Sequence, residues 1–290
     1  MAYGRGTANK MDAPLKKLSV VTQYLGDNGY TFTGRNEIYV LSFANGSTAT
    51  YNEASATAPF GTPGLAVPTE QTLTLAYNKS MITRIQRTQQ QDVPIDGLAA
   101  KWAAQQISEV FIPEHDEYSL TKIWAARPSA NAVTVTAAQV TPTGTEKLSY
   151  KFELAINKAR VAGNKNTNMM VAWLSYTFAS VLAAQINFTG SDQGYKDAQA
   201  GYLGKHKGVV CVETPDDYFV TGTYAIVADK RAVVNVTPKI DPEDYRILRE
   251  VPAFDGVEVQ LRDRGDTFVL GKRVGNIATI EDVASTTTTA

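Results

Sequence analysis

The sequence is poor in the groups that most chemistry needs. It has one cysteine, Cys211, and two histidines, His115 and His206, in 290 residues. A lone cysteine excludes an intrachain disulfide and makes a reducing compartment the simpler reading. Neither histidine has a second His or Cys at metal-ligand spacing. Neither sign of charge is in excess. The 28 Lys and Arg stand against 29 Asp and Glu, a formal net charge of −1. No global field draws such a chain to nucleic acid or to an anionic membrane. Long hydrophobic runs are also missing. The most apolar stretch, 169–186, is interrupted by Ser175, Tyr176, Ser180 and Gln185. It reads as a buried strand followed by a helix, not as a membrane span. The N-terminus lacks the apolar core of a secretory signal. What the chain does have is bulk. At 43% hydrophobic and 20% charged residues, it can bury one large core or two smaller ones. It reads as soluble and cytoplasmic, or as assembled from cytoplasmic material.

Each motif that suggests chemistry has a plainer reading. A phosphate-binding loop needs Gly-x4-Gly-Lys-Ser/Thr. The stretch from Gly265 to Gly271, followed by Lys272 and Arg273, has one residue too many and ends in arginine. Arg264-Gly265-Asp266 spells an adhesion tripeptide and reads as a turn between two strands. Glu114-His115-Asp116-Glu117 suggests a metal cluster, but adjacent helical residues do not share a face; it reads as a solvated helix start. His206 lies five residues before Cys211, within reach of a nucleophile pair. Cys211, however, sits in the apolar run Val209-Val-Cys-Val212 and reads as a buried structural thiol. No Gly-x-Ser-x-Gly elbow is present. Tyr202, Lys205, His206 and Lys207 lie among Gly201, Gly204 and Gly208 and read as a loop tip. No catalytic, cofactor-binding or metal-binding residue is expected, and no cofactor.

Patterning along the chain is more informative. Residues 1–35 are punctuated by glycine and lack a sustained apolar period. Arg5, Lys10, Lys16 and Lys17 against Asp12 make residues 1–17 basic. They read as a solvated tail or as an arm facing a neighbour or a polyanion. Ile38-Tyr-Val-Leu-Ser-Phe43 is a short strand. Residues 44–68, rich in Ala, Thr, Ser, Gly, Asn and Pro, carry no helical period. So long a loop inside a domain is uncommon unless it is functional or disordered. Strands flank it, so it reads as an extended hairpin excursion that needs another surface to lie on. Residues 71–85 are its returning strand. A helix follows from about Val93-Pro94, with Ile95, Leu98, Trp102, Gln106 and Val110 as its apolar stripe. Pro113 is expected to interrupt or kink it near Ile112. Leu120, Ile123 and Trp124 resume an apolar face, and Pro128 ends it.

Residues 131–145 have strand character, and 146–162 form a second helix bearing Leu148, Phe152, Ile156 and Ala159. Residues 169–173 form a buried strand, after which Ser175 caps a third helix. Short strands at 208–213, 224–228, 232–236, 257–261 and 267–270 follow. Residues 285–290 form a low-complexity tail. Helices in the middle and strands at both ends, without βαβ alternation, make the fold α+β.

This order resembles a known family. Polar arm, long hairpin, alternating strand and long helix succeed one another as in the major capsid proteins of tailed bacteriophages, the Hong Kong 97-type fold. Pro113, Glu114, Asp116, Tyr118 and Leu120 resemble the family's spine-helix segment. The helix at 146–162, the strand Asn168-Met-Met-Val-Ala-Trp173 and the helix at 176–186 resemble its axial domain. The stretch from Gly201 to Val212 and the strand Gly265-Asp-Thr-Phe-Val-Leu270 resemble its later parts. The likeness spans most of residues 35–275.

The resemblance implies an N-terminal arm at 1–35 and an extended E-loop at 36–80. It implies a peripheral domain with a long spine helix at 81–147 and 253–290, and an axial domain at 148–252. It implies self-assembly as hexamers and pentamers into an icosahedral shell around packaged double-stranded DNA, without cofactor or catalytic step. The expected location is the virion, after assembly in the host cytoplasm. Phe60, Leu65, Val67, Trp102 and Trp124 are the candidate inter-subunit contacts. Arg5, Lys10, Lys16 and Lys17 are the candidate inward basic arm, touching DNA without sequence preference. The arm is shorter than the scaffolding segment of some relatives, so a separate scaffolding protein, or none, is expected. Portal and decoration proteins are further expected partners, and a membrane is not. The alternatives are an encapsulin-like compartment shell of the same fold, or another self-assembling virion protein such as a tail tube or decoration protein.

Overall fold

The computed structural model describes residues 19–30, 37–43, 49–54, 59–61, 65–86, 98–141, 147–160, 169–186, 202–236, 245–248 and 254–283. The strands are β1 (Glu37–Phe43), β2 (Pro68–Thr74), β3 (Tyr77–Gln86), β4 (Ala132–Val135), β5 (Met170–Ser175) and β6 (Tyr202–His206). They continue with β7 (Val209–Thr214), β8 (Thr223–Asp229), β9 (Val233–Val236), β10 (Tyr245–Leu248), β11 (Gly256–Val269) and β12 (Ile277–Asp282). The helices are α1 (Leu98–Gln106), α2 (Ile112–Ala125), α3 (Leu148–Arg160) and α4 (Tyr176–Ala183). Two compact units result: Thr31–Leu75, and Met1–Tyr30 with Ala76–Ala290.

The apolar runs of β5 and β7 have no polar alternation, which demands cover on both faces. They lie inside a mixed six-stranded sheet of order β4-β12-β8-β5-β7-β6. One face takes Met170, Ala172, Leu174, Cys211, Val227 and Ile280. Against them pack Phe152 and Ile156 of α3 and Phe178 and Leu182 of α4. The opposite face takes Val171, Trp173, Val212, Ile226 and Ile277, covered by Leu120 and Ile123 of α2 and by Val20, Val21 and Leu25. This alternation sets the strand register, because a slip of one residue would exchange the two faces. The helix cap expected at Ser175 forms, its Oγ accepting from the Phe178 N–H at 3.2 Å. One sheet thus draws β4 and β12 from residues 81–147 and 253–290, and its other strands from 148–252.

A second sheet, β10-β11-β3, is antiparallel. Its inner face carries Met81, Ile85, Val259 and Leu261 beneath Ala99, Ala103 and Phe111. Gly256 is required there, since a Cβ would lie 2.2 Å from the Ile85 carbonyl oxygen.

Several expectations change. Residues 71–85 are not one strand. They divide at Leu75 and Ala76 into β2 and β3, which join different sheets. Residues 257–261 and 267–270 are not two strands. They belong to the single 14-residue strand β11, and Arg264-Gly265-Asp266 is no turn. At that point β11 exchanges partners, from β3 up to Gly265 to β9 from Asp266 onward. Near Ile112 the regular α-helix is interrupted, as expected of Pro113, but the helix does not end there. Helical backbone runs unbroken through 98–125, with a π-helical turn at Ile107–Phe111 directly before α2. The wider turn sits where proline removes a backbone donor and crowds the preceding carbonyls. It also shifts the helical phase. Ala99, Ala103 and Phe111 face inward, while Val110 of the expected stripe is exposed. The helix start at Val93-Pro94 and the 285–290 tail lie outside the described residues. Strands β6, β10 and β12 were not expected; Tyr202–His206 is β6, not a loop tip.

Asp266 ties these parts together. Its Oδ2 accepts from the Ala76 N–H at 2.8 Å. Its Oδ1 accepts from the Thr267 N–H at 2.8 Å and from the Tyr118 hydroxyl at 3.0 Å. Replacing Asp266 by Ala leaves three donors without an acceptor, and each buried orphan costs about 1–3 kcal/mol. We expect Asp266→Ala to lower subunit stability by about 3 kcal/mol in denaturant unfolding, and Asp266→Asn to lose clearly less.

Candidate assembly surfaces

In the Thr31–Leu75 unit, β1 and β2 pair antiparallel from Glu37 opposite Thr74 to Phe43 opposite Pro68. Residues directly opposite share a face. Tyr39, Leu41 and Phe43 therefore lie with Thr72, Glu70 and Pro68 on one side. All six are exposed, the three large apolar side chains by 54–65%. Ile38 and Val40, on the other side, are only partly exposed. A two-stranded hairpin has no second layer to bury such side chains. Farther along, Tyr51 meets Phe60 edge to face at 5.1 Å, and the Asn52 N–H donates to the Pro59 carbonyl at 3.0 Å.

The candidates Phe60, Leu65 and Val67 are exposed by 82%, 91% and 62%. Trp102 is half-buried against the second sheet. Trp124 is engaged within the subunit. Its Nε1 donates to Glu281 Oε1 at 3.0 Å, and the Arg127 guanidinium lies over its ring at 4.3 Å. Arg127 itself pairs with Glu281 at 2.5 Å. Arg5, Lys10, Lys16 and Lys17 lie outside the described residues. Tyr39, Leu41 and Phe43 were not singled out from the sequence. The available signal was that β1 is apolar at both parities, so one apolar face lacks cover.

The outer face of the second sheet is also open. Ser80, Ile82 and Arg84 of β3 lie beside Arg262, Gln260 and Glu258 of β11, with Arg246 and Leu248 on β10. Ile82 is 61% exposed. A groove of about 420 Å³ runs between Ser80, Met81, Ile82, Arg246, Gln260, Leu261 and Arg262.

The groups with chemical potential do not converge. The acid cluster at 114–117 is not a solvated helix start. Glu114 pairs with Lys79 at 2.7 Å. His115 is buried edge-on against Tyr77 at 5.1 Å, and burial pushes its pKa down. Asp116 points elsewhere and accepts from Ser19 Oγ at 2.6 Å and from the Val20 N–H at 2.8 Å. Ser19 Oγ in turn accepts from the Thr22 N–H at 2.8 Å. Residues 19–30, within the stretch expected as an arm, are thereby held on α2. The Cys211 thiol is buried, and burial pushes its pKa up to about 12, the state of a structural thiol. His206 Nε2 lies 3.5 Å from Glu153, which pairs with Lys207 at 2.6 Å. Among the described residues no three His, Cys, Asp or Glu side chains are grouped to hold a metal ion. Nor is any helix there long and apolar enough to cross a membrane.

No protein-family model matches the sequence, and no curated protein matches it. Solved structures do match. The capsid structure of the cyanophage P-SCSP1u superposes with a TM-score of 0.69 at 12% identity, over 97% of this chain and 93% of that one. A structure from Mycobacterium phage Che8 gives 0.67 at 13% identity, over 96% of each chain. The chain has the phage capsid fold. The asymmetric unit of the bacteriophage PhiM1 mature capsid agrees, at 0.60 and 12% identity over 98% and 89%. The α+β class and the resemblance to tailed-phage major capsid proteins are thus borne out at the level of fold. At such identities the capsid fold rests on shared element order and packing, not on shared side chains.

Asp116 gives this subunit a pH signature. Burial raises its pKa to about 6, against the hydrogen bonds from Ser19 and Val20 that lower it. A carboxyl raised above its unfolded value of about 3.9 binds more protons when folded, so its contribution to stability grows as pH falls through 6 toward 4. Stability of the wild type relative to Asp116→Asn should rise by about 2 kcal/mol between pH 7.5 and pH 4.5. Denaturant unfolding at both pH values measures it.

Proposed function

We propose that the chain is a structural major capsid protein. Its copies assemble as hexamers and pentamers into an icosahedral shell enclosing packaged double-stranded DNA. The observation that carries this reading is the uncovered apolar face of the β1–β2 hairpin. Burying Tyr39, Leu41 and Phe43 against a neighbour contributes about 1.5–3 kcal/mol each before the cost of association. One such contact is weak, and its repetition around a closed lattice makes it durable. The capsid fold across nearly the whole chain supports the same role, as does a net charge near zero, which lets copies approach without strong repulsion.

In this reading residues 1–35 are the arm, with Arg5, Lys10, Lys16 and Lys17 toward the DNA, and 36–80 are the extended loop that reaches a neighbouring subunit. The helix through 98–125 is the spine of the peripheral domain, residues 81–147 with 253–290, and 148–252 form the axial domain. Phe60, Leu65, Val67 and Trp102 join the hairpin face as contacts, while Trp124 is held within the subunit by Glu281 and Arg127. The role is structural and needs no cofactor. A separate scaffolding protein or none, together with portal and decoration proteins, completes the expected set of partners. The shell assembles in the host cytoplasm and ends in the virion.

Electron microscopy of the overexpressed protein, alone and with the candidate scaffolding protein, tests this. Closed shells with hexameric and pentameric capsomers are expected. A persistent monomer under both conditions, or helical tubes, would contradict it.

A further inference from the structure

Positive charge gathers at one end of the six-stranded sheet. Met170 stands opposite Asp229, Ile277 opposite Ala228 and His206 opposite Val209. This register brings the β6–β7 turn, the β8–β9 turn and the 3-10 turn Gly271–Asn276 to the same end. With the end of β6 they carry Lys205, Lys207, Lys230, Arg231, Lys272 and Arg273, all exposed except the half-buried Lys230. Lys158 of α3 reaches there too and donates to the Ala130 and Ala132 carbonyls at 2.9 and 2.8 Å. The acids of this end, among the described residues, are Asp27, Asp229 and Glu153. Seven cations thus stand against three acids, in a chain whose formal net charge is −1. The fold fixes these cations in place. A two-residue turn with positive φ at Lys207 and Gly208 pins the β6–β7 tip. Arg231 pairs with Asp229 at 2.8 Å and Lys207 with Glu153 at 2.6 Å. Three others are held by neutral groups. Besides Lys158, Arg273 Nη1 donates to the Arg231 carbonyl at 2.7 Å, and the Lys230 ammonium lies 5.9 Å from the centre of the Tyr24 ring. Burial, and then the nearby Lys205 ammonium, push the Lys230 pKa down, as happens where like charges are gathered.

We propose that this end of the six-stranded sheet binds double-stranded nucleic acid by its phosphate backbone, without regard to base sequence. A protein partner calls for an apolar or aromatic centre to bury. Among the described residues, the only large apolar side chain exposed at this end is Met169, by 42%. Single-stranded bases call for exposed aromatic faces to stack on, and Tyr24 and Tyr202 are packed against the core. What the surface presents is ammonium and guanidinium groups, the donors that meet phosphates. From β12 to β6 the sheet covers four strand spacings, about 19 Å. Its turns can therefore meet several phosphates of one duplex, which carries one charge per about 1.7 Å of axis. This inference rests on the shell reading and gives the enclosed DNA a contact on the folded body, separate from the basic arm.

Salt dependence tests it, with wild-type assembly followed in parallel. Binding of a short mixed-sequence DNA duplex to the full-length subunit is measured by fluorescence anisotropy across a salt series. Combining Lys205→Gln, Lys272→Gln and Arg273→Gln should lower the slope of log affinity against log salt by about 2.7, and weaken binding at least tenfold at low salt. Circular dichroism and denaturant unfolding should stay unchanged. A duplex of unrelated sequence should show the same loss. So should a background carrying Lys10→Gln, Lys16→Gln and Lys17→Gln, where the arm's lysine charges are gone. A second measurement needs no variant: formaldehyde treatment of wild-type, DNA-filled particles should link DNA to peptides containing Lys205 or Lys272. An unchanged slope with no such link, or lost assembly with duplex binding intact, would overturn the inference alone when wild-type shells form. Absence of wild-type shells would overturn the shell reading as well.

Discussion

One buried carboxylate holds the larger unit's separate parts in register. Asp266 accepts from the backbone at Ala76, where the chain enters β3, from its neighbour Thr267, and from Tyr118 on α2. It sits where β11 stops pairing with β3 and begins pairing with β9. A buried acceptor with three donors is costly to disturb, because every donor is then stranded. The Thr267 hydroxyl extends the junction by donating to Ser119 at 2.8 Å. The long strand and the long helix are thus fixed to each other at the point where the strand changes partner from β3 to β9. The helix then serves two cores. Its first part covers the inner face of the second sheet, and its last part covers the six-stranded one.

The hairpin presents the opposite situation. Nothing within a two-stranded ribbon covers Tyr39, Leu41 and Phe43, and exposed apolar faces of this kind mark interaction sites. A chain with a tightly tied body and an incompletely buried hairpin is suited to repeated association. His115, Asp116 and Cys211, the most suggestive side chains in the sequence, are all spent on internal packing or on holding the 19–30 segment.

What was legible in the sequence was local. Uninterrupted apolar runs announced β5 and β7, Ser175 announced the start of α4, and Leu148, Phe152, Ile156 and Ala159 announced the buried side of α3. The order of those elements carried the resemblance to phage capsid proteins, which the fold bears out. What was not legible depended on partners distant in the chain. Arg264-Gly265-Asp266 has the composition of a turn, and only Tyr118 and Ala76, brought in by the fold, make it a strand. Asp116 reads as a helix-start acid until Ser19 and Val20 arrive from 97 and 96 residues away. Strand β12 hides its role because Thr279 and Glu281 are polar; both are buried, with Glu281 held by Arg127 and Trp124. The π-helical turn before Pro113 is a compromise between helix continuity and proline sterics, invisible to a simple period count.

The central claim is that the hairpin is completed by another copy of the chain. Amide hydrogen exchange in Glu37–Phe43 and Pro68–Thr74, compared between free subunit and assembled particle, tests it most directly. The account predicts weak protection of these strands in the free subunit and at least a hundredfold slower exchange in the particle, with β5 and β7 strongly protected in both. Equal exchange of the hairpin in the two states would contradict it.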